Sequence, residues 1–504
     1  MRVLLARPGY GTVYRLLTRE SKQRMVFPPM GLMTLGAVLE SAGHDVSIVD
    51  CEAERLDAPG VVDRASSFGA DFVGCSSTTP EFHIASRILG SVKSELGLPT
   101  VLGGPHATVC AEEVLASSPH IDYTVRGEGE RTLVELVERL AASRSVEGVE
   151  GLSYREGGVV THNACRDPIP DLDTLPLPAW HLVEPKAYMV PCSRSGMKMC
   201  GTVQTSRGCP YDCAFCYPMF GRRVRYKSVR RVLDEIALLL HECGVEWLYF
   251  VDENVTIDAT RMMAICEGMV EEGLDVPWQC LARADSIRDE MLVKMRAAGC
   301  VQVSLGVESG SQRVLDLMRK SMSLATIDAA FERLRAGGFE TRGSFVIGLP
   351  GDDKSSIRET IEFAKRLKID RASFNIFTPY PGTRVLEDPS LKQLFHILSD
   401  DWSQYTRHGN AVVELPGVTR EELMDLQRVA NMEFYTSWWS IRHHAKAFLR
   451  GDRQGFYYRP LVFALRERLV RLGRRLYRLL VPHVDEKAAE RVMEADDQRD
   501  VDAA

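Results

Sequence analysis

Residues 206–216 read SRGCPYDCAFC and directly follow GTVQTS (201–206), an apolar run with the composition of a buried strand. The stretch places Cys209, Cys213 and Cys216 in a C-x3-C-x2-C spacing. Three thiols this close are structural, or belong to a zinc site with a remote fourth ligand, or leave a coordination position open. A structural zinc site is closed by four ligands, commonly in paired C-x2-C spacings. Here no His or Cys occurs between Cys216 and His241, although Cys192 and Cys200 lie upstream, so spacing alone leaves a four-thiolate site open. Iron–sulfur clusters also draw thiolates from short local spacings, and a cluster held by three leaves one iron free.

Outward from this stretch, strand-like runs alternate with helical patterns through a span bounded at 191–385. The runs are GTVQTS, WLYFVDE (247–253), WQCLARAD (278–285), VQVSLGVES (301–309), TRGSFVIGLPG (341–351) and RASFNIFTPY (371–380). Six repeats are too few to close an eight-stranded barrel. An open, partial (β/α)6 barrel is predicted, with functional residues at the carboxyl ends of its strands, where the cysteine stretch falls.

Residues 1–145 carry a separate alternation. RVLLA (2–6), DVSIVD (45–50), DFVGCS (71–76), TVLGG (100–104) and YTVRGEGE (123–130) are the runs, with helical patterns such as 31–43 and 83–96 between them. This predicts an α/β, doubly wound, Rossmann-like domain, whose ligands sit beyond the strand ends. The segments there are SSTTP (76–80), GGPHAT (103–108) and GEGE (127–130). No G-x-G-x-x-G follows the first strand, which weakens a dinucleotide reading. Residues 146–190 read as a linker, with a hairpin (GLSYREGGVVTHN) and a proline-rich run. Residues 386–504 read as a C-terminal helical region. It includes 419–439, a basic amphipathic helix over 460–483 and an acidic tail from Asp485.

Composition narrows the class. Apolar content of 45% and charged content of 26% suit a globular protein, and a net charge of −7 argues against a general nucleic-acid binder. MRVLLARPGYG at the start reads as a first buried strand rather than a signal peptide. No uncharged apolar run approaches the ~20 residues that span a bilayer. The 13 cysteines are odd in number and mostly embedded in apolar runs, so a reducing cytoplasm is expected.

The C-x3-C-x2-C motif after a first βα strand, with Phe215 before the last cysteine, resembles the radical SAM superfamily. The resemblance implies a 4Fe-4S cluster on Cys209, Cys213 and Cys216, whose open iron chelates S-adenosyl-L-methionine. Further landmarks recur in order at the strand ends: DEN (252–254), RAD (283–285), GVESGS (306–311), GSFVIGLPGD (343–352) and YPGT (380–383). By this resemblance Asp252 and Glu253 are candidates for the methionine amino group. Arg283 and Glu308 would meet its carboxylate and the ribose, and Gly348 would let backbone approach the adenine. Asp352 stands where the family often has Glu. Singly, each landmark has a structural reading: a helix cap for DEN, a turn for GLPGD, a surface pair for Arg283 and Asp285.

In the first domain, PPMGLMTLGAVLESAGHDVSIVD, GGPHAT and RGEGE resemble the cobalamin-binding domain of one large radical SAM subfamily. The corrinoid would lie against Ser76, Ser77, Thr78, Gly103, Gly104, Gly127 and Glu128. The D-x-H-x-x-G motif of histidine-ligated corrinoids is not found. A lone histidine after a strand, here His106, is as a rule a pocket or structural residue, with cobalt ligation as the alternative. The resemblance implies a cytoplasmic C-methyltransferase that uses a 5′-deoxyadenosyl radical and methylcobalamin on a small-molecule or lipid-like substrate, with an external flavodoxin- or ferredoxin-type electron donor. Two alternatives are carried: a ring-forming or rearrangement reaction with the same cofactors, as in porphyrin ester cyclases, and a non-catalytic cobalamin or redox sensor. The basic helix around Arg466–Arg478 is a packed helix with a solvated face, or a peripheral membrane contact.

Overall fold

Arg2–Arg7 (β1) buries four consecutive residues, Val3 to Ala6, as only a strand covered on both faces does. In the computed structural model, which describes residues 1–10, 26–192, 196–449, 461–462, 464–469 and 471–472, β1 lies inside a seven-stranded sheet. Its partners are β2 (Asp45–Asp50), β3 (Phe72–Ser76), β4 (Thr100–Gly103), β5 (Tyr123–Val125), β6 (Leu152–Glu156) and β7 (Val159–His162), in the order β2-β1-β3-β4-β5-β6-β7. The first five strands pair in parallel. Strand order reverses at β1, so the crevice between the ends of β1 and β3 is the place where this fold receives a ligand.

The hairpin expected in the linker is β6–β7. It is no connector: it pairs antiparallel with β5 and extends the first sheet. The first layer therefore runs past residue 145 to His162. Its outer strand, β7, has no buried residue, as suits the edge of a sheet.

The second sheet has the order β16-β15-β14-β13-β12-β9-β8. Its parallel strands are β9 (Gly196–Val203), β12 (Trp247–Phe250), β13 (Trp278–Ala282), β14 (Cys300–Glu308), β15 (Glu340–Ile347) and β16 (Arg371–Ile376). These are the six predicted repeats in sequential order, an open half-barrel. The edge strand β8 (Met189–Cys192) pairs antiparallel with β9. Two short strands, β10 (Ser206–Arg207) and β11 (Arg225–Tyr226), form a separate ladder.

Residues 1–430 form one compact unit, which continues past residue 385. Beyond that point lie a ladder of β17 (His396–Ile397) and β18 (Val413–Glu414) and the helix Arg420–Tyr435, whose Gln427 amide donates to the Phe374 carbonyl at 2.8 Å. The unit from Asn431 contains the helix Trp438–Leu449. The single helix read over 419–439 is thus two, separated at Thr436–Ser437. Of the basic helix, the described residues between 461 and 472 are helical and expose Val462, Leu465, Leu469 and Leu472. The rest of it, and the acidic tail, lie outside the described residues. No helix among the described residues is long and apolar enough to cross a membrane.

Candidate active site

The half-barrel strands end along one edge, and the motif residues fall there. Gly208 turns the chain out of β10 at φ +101°, where a Cβ would collide with the Arg223 carbonyl oxygen, so glycine is required. The β10–β11 ladder closes the neck of the cysteine loop. Inside the loop, the Ala214 N–H donates to the Met318 carbonyl (2.9 Å) and the Val385 N–H donates to the Ala214 carbonyl (3.1 Å). Cys213 is buried, Cys209 half-buried and Cys216 open to solvent. Among the described residues, no group of three or more His, Cys, Asp or Glu side chains is disposed to hold a single metal ion.

Asp252 is held by protein donors. It is fully buried, and its carboxylate accepts from the Thr205 N–H (3.1 Å), the Thr205 hydroxyl (2.8 Å) and the Ser206 hydroxyl (2.5 Å). These bonds tie the end of β12 to the segment entering the cysteine loop. Glu253, beside it, is exposed. Asn254 is buried, accepts from the Thr256 hydroxyl at 3.0 Å, and leaves its own Nδ2 without a protein partner.

Arg283 lies over the Tyr211 ring, 3.5 Å from its centroid, and Nη1 comes within 3.7 Å of Cys213 Sγ. Its burial acts to lower its pKa, but the hydrogen bond and charge of Asp285, 3.0 Å away, hold it above the ordinary value. Glu308 ends β14 at φ +69°, a costly conformation for a non-glycine residue, beside a register shift between Gly306 and Glu308. The Lys320 ammonium holds it at 2.9 Å, with both residues buried. Sequence reasoning missed Lys320, which sits in an unpatterned loop where Arg319 and Ser321 also have positive φ. Gly348 follows β15 at φ +82°. The N–H groups of Gly348 and Leu349 donate to Asp352 at 3.1 and 3.0 Å, and the Ser356 hydroxyl donates at 2.6 Å. Burial nevertheless raises Asp352 to about 6.

In the first sheet, Ser76, Ser77 and Thr78 leave β3 at the switch-point crevice. Ser77 is buried with an unpartnered hydroxyl, whereas the Thr78 hydroxyl is committed to Glu81 at 2.7 Å. Gly104 has φ +90°, and a Cβ there would press on Ser76 Oγ at 2.6 Å, while Gly103 and Gly127 face open space. His106 is fully buried between Phe82 and Trp402, at centroid distances of 4.5 and 5.7 Å, with Nδ1 3.3 Å from the Thr79 hydroxyl. Burial pushes its pKa down to about 4, so it is neutral at physiological pH, and these contacts favour the structural reading. Glu128 is likewise held by protein donors. Both its oxygens are engaged by protein: Arg207 at 3.1 Å, Arg225 at 2.9 Å and the Ile169 N–H at 2.6 Å.

Two family models match the chain: the B12 binding domain over residues 21–137 and the radical SAM superfamily over 203–364. An uncharacterized methyltransferase of Pyrococcus horikoshii is 35% identical over 81% of this chain and 88% of its own length. The chain belongs to the cobalamin-dependent radical SAM methyltransferase family. The anaerobic magnesium-protoporphyrin IX monomethyl ester cyclase of Rubrivivax gelatinosus is 31% identical over 77% of this chain and 70% of its own length. In fold, the chain is similar to the radical S-adenosylmethionine methyltransferase TsrM from Kitasatospora setae, solved with cobalamin and a [4Fe-4S] cluster (TM-score 0.67, 16% identity, 90% of this chain and 99% of that one).

The cofactors of this family are cobalamin, S-adenosylmethionine and a 4Fe-4S cluster, and the residues present fit them. Burial raises the half-buried Cys209 thiol above its ordinary value, and the charge of the neighbouring Cys213 sulfur adds to it. Gathered thiolates are unfavourable until a cationic cluster neutralises them, which is the donor set such a cluster needs. Beside the loop, the unpartnered Asn254 amide and the exposed Glu253 offer a donor and an acceptor to an amphoteric ligand. In the first sheet, the unpartnered Ser77 hydroxyl and the open backbone at Gly103 and Gly127 suit a large polar ligand.

Proposed function

We propose that this enzyme transfers a methyl group to an unactivated carbon of a small-molecule substrate. The observation that carries this reading is the 35% identity over nearly the whole of a methyltransferase, in a chain whose corrinoid crevice and cysteine loop share one compact unit. When bound, the cofactors supply one-electron cleavage of S-adenosylmethionine and a transferable methyl group. The chain's own residues position and shield. Cys209, Cys213 and Cys216 anchor the iron. Glu253, Asn254, Arg283 and the Lys320–Glu308 pair present fixed charges and donors to S-adenosylmethionine, and Gly348 admits its base. Ser76, Ser77, Gly103, Gly104 and Gly127 form the wall against the corrinoid. Charges preset in this way need no reorganisation when the reaction begins.

A second reading, ring formation with the same cofactors, is favoured by the 31% identity to a porphyrin ester cyclase. Anaerobic incubation with methyl-labelled S-adenosylmethionine and host extract separates the two. Label in a product carbon, with 5′-deoxyadenosine and S-adenosylhomocysteine, supports methyl transfer; deoxyadenosine without label transfer supports the cyclase reading. Binding of cobalamin without any cleavage by reduced enzyme would support a sensor. The reaction needs an external low-potential electron donor of the flavodoxin or ferredoxin type. A lipid-surface contact through the described residues of 461–472 draws support from four exposed apolar side chains near Arg466 and Arg471. Liposome binding lost on charge reversal of those arginines would support it.

A further inference from the structure

The neck of the cysteine loop carries an electrostatic problem that the first domain solves. In the β10–β11 ladder, Arg207 stands directly opposite Arg225, and both are buried. Like charges opposite one another destabilise a strand pair, and more so away from water. The carboxylate of Glu128 lies between them, 3.1 Å from Arg207 Nη1 and 2.9 Å from Arg225 Nη1. Glu130 takes the other arm of Arg207 at 2.6 Å, so two guanidiniums face two carboxylates, all four side chains no more than 8% exposed. Glu128 precedes the helix Gly129–Ala141 of the first domain and Glu130 lies in its first turn, where the amino end favours negative charge. Ile169, in the segment joining the layers, completes the joint: its N–H donates to Glu128, and its carbonyl accepts from Arg225 at 2.6 Å. Although burial acts to raise it, hydrogen bonds from Arg225 and Ile169 and the Arg207 charge hold the Glu128 carboxyl below its usual range.

One side chain of the corrinoid domain therefore binds both strands that close the cluster loop, and Arg207 is two residues from Cys209. We propose that Glu128 is a positioning residue that fixes the separation of cluster and cobalt by locking the neck of the cluster loop onto the corrinoid domain. This rests on the cofactor assignment above. In this role Glu128 acts through Arg207 and Arg225. The consequence is large, since a misplacement of ~1 Å costs about 10²-fold in a positioned reaction.

The test uses the full-length protein, reconstituted anaerobically with iron, sulfide and hydroxocobalamin, then reduced so that cluster and cob(II)alamin are both paramagnetic. Wild type is expected to give one well-defined magnetic coupling between the two centres by EPR. Glu128→Gln should keep its iron and cobalamin but show a broadened or diminished coupling, with partial recovery in Glu128→Asp. An unchanged coupling in Glu128→Gln overturns the proposal. So does a tenfold or greater loss of hydroxocobalamin affinity with normal coupling in the fraction that binds, which would return Glu128 to the corrinoid wall. If Glu128→Gln does not fold, Arg225→Lys, which keeps the charge and loses the forked contact, is read in the same way. Wild type that takes up no hydroxocobalamin would instead refute the cofactor assignment.

Discussion

Asp252→Ala distinguishes a ligand contact from a structural tie. The carboxylate receives one backbone N–H and two hydroxyls in a fully buried position. Hydrogen bonds to a charged group are worth about 1.5–3 kcal/mol each, and a buried donor left unmade costs about 1–3 kcal/mol. The two hydroxyls can rotate toward other acceptors, whereas the Thr205 N–H cannot, so a loss of about 3–5 kcal/mol is expected for alanine. Asparagine keeps the shape and one acceptor oxygen, and about half that loss is expected. The assay is urea unfolding of the protein without cofactors, in which the midpoint should fall while the slope stays constant. Amide exchange from Thr205 to Cys209 should accelerate, because the tie holds the entrance of the cysteine loop. A wild-type midpoint for Asp252→Ala, together with weakened S-adenosylmethionine binding, would refute this account and restore Asp252 to the methionine amino group.

Four other outcomes are expected. Replacing Cys209, Cys213 or Cys216 with Ala should abolish deoxyadenosine formation and lower bound iron, while hydroxocobalamin binding, read by absorbance, persists. His106 has a folded pKa of about 4 against 6.5 unfolded, so the unfolded state binds more protons between these values and stability rises with pH across that window. The full difference is about 3 kcal/mol, and His106→Phe should flatten it in pH-dependent unfolding. Asp352 has the opposite sign: its folded pKa of about 6 exceeds 3.8, so stability falls as pH rises through that interval, and Asp352→Asn should remove the fall. Lys320→Met strands Glu308 as a buried charge at positive φ, and a loss of about 3–5 kcal/mol is expected in the same unfolding assay.

The strands of both sheets were legible because each is an apolar run bounded by turn residues, and parallel strands buried on both faces admit few other patterns. The cysteine loop was legible because ligand spacing is local. Contacts that join distant segments were not. Lys320 carries no motif, and its role follows only from the bend that brings it to Glu308. The β6–β7 hairpin was visible, but its membership of the first sheet depends on pairing with β5. Asp252 and Glu128 were read as cofactor contacts, and sequence could not reveal which protein donors already occupied them. Nothing in the basic run GRRVRYK (221–227) marks Arg225 out for a partner in the first domain.

The cysteine loop is closed at its neck by a two-residue ladder and tied at its middle to Met318 and Val385, all through bonds between protein atoms. These bonds hold the loop's backbone independently of any bond between a thiolate and a metal. Damage by oxygen is therefore expected to remove inorganic content rather than architecture. Air-exposed protein that has shed its iron should keep its amide-exchange protection at Ala214 and Val385 and accept new iron and sulfide without passing through an unfolded state. Repair would then be a matter of resupply instead of resynthesis.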